Sequence, residues 1–213
     1  KYPEHENDKL VDSELGMIPE GWIPKRFSEL VNLTMGLSPK GSSYNEDGKG
    51  IPLLNGPSDF IDSKINTKRF TSEPTRLCKK GDIVFCIRGT IGLINLSDKE
   101  YCLGRGVAAL TPERSEFLEL IIFRLKNLIR SLNNSAGGSV IKGLTKNDIN
   151  NSLILLPSDK ILYQFSSLQN SLIKQVELLN DQNKNLRQTR DLLLPKLISG
   201  KIDVSHMDID TSI

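Results

Sequence analysis

Between Ser158 and Leu194 the chain has neither glycine nor proline, and apolar residues return at every seventh position: Phe165, Leu172, Leu179, Leu186 and Leu193. At 1.5 Å per residue such a helix extends roughly 55 Å, whereas a compact body built from the preceding residues has a radius of gyration of about 15 Å. The helix is therefore expected to overhang its own domain, and its stripe needs a second helix to cover it. With Phe165 at heptad position a, the d positions are Ile161, Leu168, Gln175, Gln182 and Thr189. Polar d residues weaken a helix pair while fixing its register and orientation. A helix lying on its own domain would also start apolar and then lose the pattern, but the length favours the pair. The helix-pairing set is Ile161, Phe165, Leu168, Leu172, Leu179, Leu186 and Leu193. Ser158 is placed to cap the helix, and Pro195 to break or kink it.

The 213 residues have room for one globular domain plus this extension. Hydrophobic content of 38% and charged content of 25% exclude a disordered chain. No apolar run reaches the roughly eighteen residues of a membrane span, and the acidic, polar opening excludes a secretory signal. Lys1 is not a methionine, as expected of a chain processed or cut from a longer one. Cys78, Cys86 and Cys102 are odd in number and scattered, which argues against a disulfide scaffold or a zinc site. A reducing cytoplasm is the simplest setting. No metal or cofactor is expected.

The net charge of +2 hides an uneven distribution. Basic residues gather between 64 and 114, at Lys64, Lys68, Arg69, Arg76, Lys79, Lys80, Arg88, Lys99, Arg105 and Arg114. A basic zone on a near-neutral chain suits a local nucleic-acid face, although a solvated lysine-rich surface looks the same.

The opening through Trp22 reads as an arm or linker. Residues 25–33 suggest a short helix packing Phe27, Leu30 and Val31 inward, and 36–50 is a glycine- and serine-rich loop. Strands are expected at 51–54, 65–70, 83–87, 91–96 and 107–110. Arg88-Gly89-Thr90 then forms a hairpin tip. Thr111-Pro112 resembles a helix start, with the helix running to about Leu132. After a second glycine-serine loop at 133–143, Thr145-Lys146-Asn147-Asp148 fits a capping box for a brief helix. A strand follows at 153–156.

A catalytic constellation is hard to assemble. The histidines, His5 and His206, lie in polar termini. Gly104-Arg105-Gly106-Val107-Ala108-Ala109 has a dinucleotide-fold spacing, but that motif needs a helix running on from the glycines. Here Thr111-Pro112 restarts the chain within a few residues. Asp62-Ser63-Lys64 resembles the D-x-K of metal-dependent nucleases, with Asp47 or Asp59 as partners, yet such triplets are common by chance. There is no P-loop and no N-P-P-Y-like or D-P-P-Y-like motif. The chain reads as a binding protein, with a pure interaction scaffold as the alternative.

Four ordered stretches carry a resemblance. They are Ser13-Glu14-Leu15-Gly16-Met17-Ile18-Pro19-Glu20-Gly21-Trp22; Gly81-Asp82-Ile83-Val84 with Gly89-Thr90-Ile91-Gly92; Leu144-Thr145-Lys146-Asn147-Asp148-Ile149 with Leu156-Pro157; and Leu193-Leu194-Pro195-Lys196-Leu197-Ile198-Ser199-Gly200-Lys201-Ile202. Together they resemble the specificity subunit of type I restriction–modification systems. The departure is Pro157-Ser158-Asp159-Lys160-Ile161-Leu162-Tyr163-Gln164, where such proteins usually show a P-P-x-x-E-Q-like sequence.

The resemblance implies an α/β (α+β) fold, a mixed-sheet target-recognition domain followed by a long helix that forms a coiled coil. The expected boundaries are an arm at 1–22, the recognition domain at 23–157, the spacer and dimerisation helix at 158–200 and a tail at 201–213. It also implies a non-catalytic subunit that reads double-stranded DNA. Family members usually carry two recognition domains and two helices, so this chain corresponds to half of one. It would pair through antiparallel helices with a second copy or with a missing half. Methyltransferase subunits would dock on the helices, and the restriction subunit would join through them.

Candidate DNA contacts are polar or basic residues in turn-rich loops: Lys40, Ser42, Ser43 and Tyr44; Asn55 and Ser58; Lys68 and Arg69; Arg88 and Thr90; Arg105; Ser139 and Lys142. An arginine at a hairpin tip can reach a guanine edge bidentately, while lysines mostly meet phosphates.

Overall fold

The computed structural model describes residues 9–61, 64–135 and 143–202. The chain divides into two compact units, the first ending at Ser166 and the second beginning at Ser167. The first unit opens with β1 (Leu10–Val11), β2 (Ile18–Pro19), β3 (Ile23–Arg26), β4 (Val31–Met35), β5 (Tyr44–Asn45), β6 (Ile51–Leu54), β7 (Phe60–Ile61) and β8 (Lys64–Ile65). It continues with β9 (Phe70–Thr71), β10 (Leu77–Cys78), β11 (Ile83–Cys86), β12 (Ile94–Leu96), β13 (Tyr101–Leu103) and β14 (Val107–Pro112). Helix α1 (Leu118–Ser135), the short α2 (Lys146–Asn150) and β15 (Leu153–Leu156) precede the long helix α3 (Asp159–Ile198).

Two sheets dominate. One is antiparallel in the order β12-β11-β14-β4; the other is mixed, in the order β10-β13-β6-β9-β5, with β13 parallel to β6. The antiparallel sheet is covered on both faces, which explains why its central strands are continuously apolar rather than alternating. Ile83, Phe85, Ala108 and Leu110 enter one core cluster with Phe27, Ile121, Leu125 and Ile149. Their neighbours Val84, Cys86, Val107 and Ala109 enter a second cluster with Leu54, Tyr101 and Leu103. The two-residue period of a strand sends alternate side chains to opposite cores.

Several local expectations change. Residues 25–33 are not a helix: β3 leads into a 3-10 turn at Phe27–Glu29 and then β4. The Glu29 carboxylate accepts the Arg26 N–H at 2.9 Å and closes that turn, while β4 pairs with β14 from Val31↔Pro112 to Met35↔Ala108. Phe27, Leu30 and Val31 are still buried. The same pairing keeps Thr111-Pro112 in a strand, so α1 begins only at Leu118. The expected strand at 65–70 is broken into β8 and β9, because the Thr67 hydroxyl donates to the Leu53 carbonyl at 2.6 Å and accepts the Arg69 N–H at 3.2 Å. The β11–β12 tip is longer than three residues, since β12 starts at Ile94.

The capping box at Thr145 forms as its spacing predicts. Thr145 Oγ1 accepts the Asp148 N–H at 3.2 Å, and Asp148 Oδ2 accepts the Thr145 N–H at 2.8 Å. The long helix has 40 residues and runs through Pro195 to Ile198, so the proline does not end it. A proline there removes one donor from the ladder, and the position is exposed, so water can take the Asp191 carbonyl it leaves unpaired. Within the first unit, Leu162 on the first turn of α3 is 1% exposed in the main core, and Asp159 accepts from Arg114 Nη1 at 2.9 Å.

Candidate nucleic-acid interface

Strand register brings distant loops to one end of the first unit. The parallel pairing Leu103↔Leu54 means that β13 and β6 finish side by side, which sets Gly104-Arg105 beside Asn55. The Gly104 N–H donates to the Leu54 carbonyl at 2.7 Å and locks that arrangement. The antiparallel pairing Cys86↔Val107 continues one step as the Ile87 N–H donating to the Gly106 carbonyl at 2.9 Å, which brings Arg88 alongside Arg105. On the other side of β14, Gly36 N–H donates to the Val107 carbonyl at 3.0 Å, and Ser38 follows two residues later.

The result is an open cleft of about 510 Å³ lined by Ser38, Tyr44, Asn55, Arg88, Arg105 and Gly106. Tyr44, Asn55, Arg88 and Arg105 are all candidates from the sequence; the structure brings these four together from strand β5 and three loops. Two arginines line the cleft and no acidic residue does among the described residues. Asp59, four residues after Asn55, is occupied: its Oδ2 accepts the N–H groups of Asn55 at 2.7 Å and Gly56 at 3.2 Å. The Asn55 side chain lies over Gly104, where a Cβ would collide with its Oδ1.

Arg105 is held by Ser38, whereas no side-chain hydrogen bond holds Arg88 among the described residues. Ser38 Oγ accepts from Arg105 Nε at 3.2 Å and from its backbone N–H at 3.3 Å. Arg88 is exposed at the β11–β12 tip, with Gly89 beside it at φ +71°, and its side chain passes Gly143.

The remaining candidates fall elsewhere. Ser43 is 5% exposed, and its hydroxyl is spent on the Lys40 carbonyl at 2.7 Å and Thr71 Oγ1 at 2.8 Å, so it holds the 40–44 loop together. Lys40, Ser42, Ser58, Lys68, Arg69 and Thr90 are exposed but do not line the cleft. Ser139 and Lys142 lie outside the described residues, as do Asp62 and Ser63 of the D-x-K triplet and both histidines. Ser38 and Gly106 were not singled out by sequence; each sits next to a residue that was, or in the same glycine-rich loop.

The pairing candidates divide between the units. Ile161 and Phe165, in the first unit, are half-buried. Leu168, Leu172, Leu179, Leu186 and Leu193, in the second, are exposed, between 42% and 67%. Among the described residues no helix is long and apolar enough to cross a membrane, and no group of three or more His, Cys, Asp or Glu could hold a metal ion.

Residues 19–188 match the family described as type I restriction modification DNA specificity domain, and the chain belongs to that family. It is similar to the putative type I restriction enzyme MjaX specificity subunit of Methanocaldococcus jannaschii, 27% identical over 202 residues, covering 93% of this chain and 48% of that protein. It is also similar to the type I restriction enzyme HindI specificity subunit of Haemophilus influenzae, 24% identical over 202 residues, covering 87% of this chain and 42% of that one. The HsdS subunit from Thermoanaerobacter tengcongensis, a crystal structure, superimposes with a TM-score of 0.64 at 28% identity, over 87% of this chain and 46% of that chain. The chain thus spans about half the length of the curated relatives it matches.

Proposed function

We propose that the first unit reads one half of a bipartite double-stranded DNA target and that the long helix pairs antiparallel with a second such helix. The observation that carries this is the cleft, where two arginines and an asparagine from three loops converge with a tyrosine of β5, and no acidic residue is among its described lining residues. Guanidinium and amide groups are the side chains that read base edges, while exposed lysines such as Lys40 and Lys68 suit phosphates. The span of about half a relative's length supports the half-target.

In this reading the chain is non-catalytic. Methyltransferase subunits dock on the paired helices, and the restriction subunit joins through them. The exposed leucines of the second unit support a helix partner, either a second copy or the other half of a longer subunit.

The test is fluorescence binding of the full chain, with its methyltransferase subunits, to a randomised duplex library and then to the selected sequence. Arg88→Ala and Arg105→Ala should each weaken specific binding roughly tenfold or more. Binding should also fall steeply with salt. An interaction scaffold predicts no sequence preference and no response to either substitution.

A further inference from the structure

Of the two arginines in the cleft, only Arg105 has a side-chain hydrogen bond among the described residues. Its backbone and its side chain both donate to the same oxygen, Ser38 Oγ, at 3.3 and 3.2 Å. Using Nε in this way leaves Nη1 and Nη2 as an end-on fork, and no acceptor among the described residues engages them. The loop beneath is also fixed: Gly104 N–H donates to the Leu54 carbonyl at 2.7 Å, Val107 N–H to the Gly104 carbonyl at 3.2 Å, and Ile87 N–H to the Gly106 carbonyl at 2.9 Å. A phosphate tolerates any cation that reaches it, whereas a base edge must be met at one place and angle. Beside Arg88, the cleft also holds the neutral Asn55 and Tyr44, whose amide and hydroxyl groups suit base edges.

We infer that Arg105, positioned by Ser38, reads a guanine in the half-target through O6 and N7, and that Ser38 is a specificity-determining positioning residue. Guanine offers two acceptors on its major-groove edge at the spacing of an arginine fork. Adenine and cytosine each put an amino group there, and thymine one acceptor and a methyl. This inference rests on the DNA-reading role proposed above.

The experiment compares sequence preferences of the full chain with its methyltransferase subunits, wild type against Arg105→Lys, Ser38→Ala and Ser38→Thr, on a randomised duplex library. Wild type should require guanine at one position. Arg105→Lys should lose roughly ten- to hundredfold preference at that position alone, since a lysine cannot form the fork. Ser38→Ala should relax the same position, and Ser38→Thr, which keeps the hydroxyl, should retain the preference. An Arg105→Lys variant that keeps the wild-type preference, or weakens uniformly on all sequences with an unchanged salt dependence, would make Arg105 a phosphate contact and overturn the inference while leaving the DNA-reading role intact. Relaxation by Arg105→Lys with no effect of Ser38→Ala would overturn the positioning role. A wild-type chain with no sequence preference would overturn the DNA-reading role itself.

Discussion

Gly106 packs directly against the Asn55 backbone carbonyl, so closely that a Cβ would collide with that oxygen. The carbonyl cannot easily yield, because the adjoining turn is pinned by Asp59 Oδ2 through the N–H groups of Asn55 and Gly56. Gly106→Ala should therefore cost about 1–3 kcal/mol and lower the Tm by roughly 2–10 °C. Gly41→Ala, where a Cβ meets nothing within 4 Å, is the control and should be close to neutral. Equal melting of the two variants would show that the floor of the cleft is softer than its hydrogen bonds imply.

Glu119 on α1 has a buried Oε1 with no hydrogen bond among the described residues, and burial raises its carboxyl above the ordinary range, with Lys126 opposing more weakly. A raised carboxylate is charged at neutral pH at the expense of the folded state. Protonation relieves that penalty as pH falls through the raised value, and none remains below the unfolded value. Glu119→Gln should thus raise the Tm at about pH 7, with a smaller gain at about pH 4. Thermal melts at the two pH values decide it; an equal gain at both would mean that packing, not charge, is responsible.

Cys78, Cys86 and Cys102 are all buried. Burial, and secondarily the Asp59 charge, pushes the Cys86 thiol up to about 12, and burial also raises Cys78. Because the thiolate is the reactive form, a native sample at about pH 8 should be silent to an aromatic disulfide reagent. Unfolding should release the three thiols of the sequence. Rapid titration of Cys78 or Cys86 without unfolding would contradict the packing of the second core cluster.

Some of this was legible in the sequence and some was not, for identifiable reasons. The capping box at Thr145 and the apolar runs of β11 and β14 depend on local spacing, and both appear as read. Asn55, Arg88 and Arg105 stood out because turn residues flank them. Ser38 did not, because its significance lies in Arg105, 67 positions away, and only the β4–β14 register joins them. Ser43 looked like a surface serine until Thr71 supplied a buried hydroxyl partner. The spacing of Phe27, Leu30 and Val31 fits one face of a helix as well as a turn between strands. Pairing with β14 decides between them, and no local pattern contains it.

The heptad leucines give the last prediction. Leu172, Leu179 and Leu186 are 45%, 57% and 67% exposed, and all lie in the second unit. In the proposed helix pair, three such side chains at seven-residue spacing are the seam, where burying each would contribute about 1.5–3 kcal/mol. None belongs to either core cluster, so replacing them should leave the first unit folded. The triple substitution Leu172→Ser, Leu179→Ser, Leu186→Ser should abolish self-association while Cys78, Cys86 and Cys102 stay protected from thiol reagents. Analytical ultracentrifugation reads the first effect and thiol titration the second. A triple variant that sediments as an unchanged dimer would move the association surface off the heptad stripe.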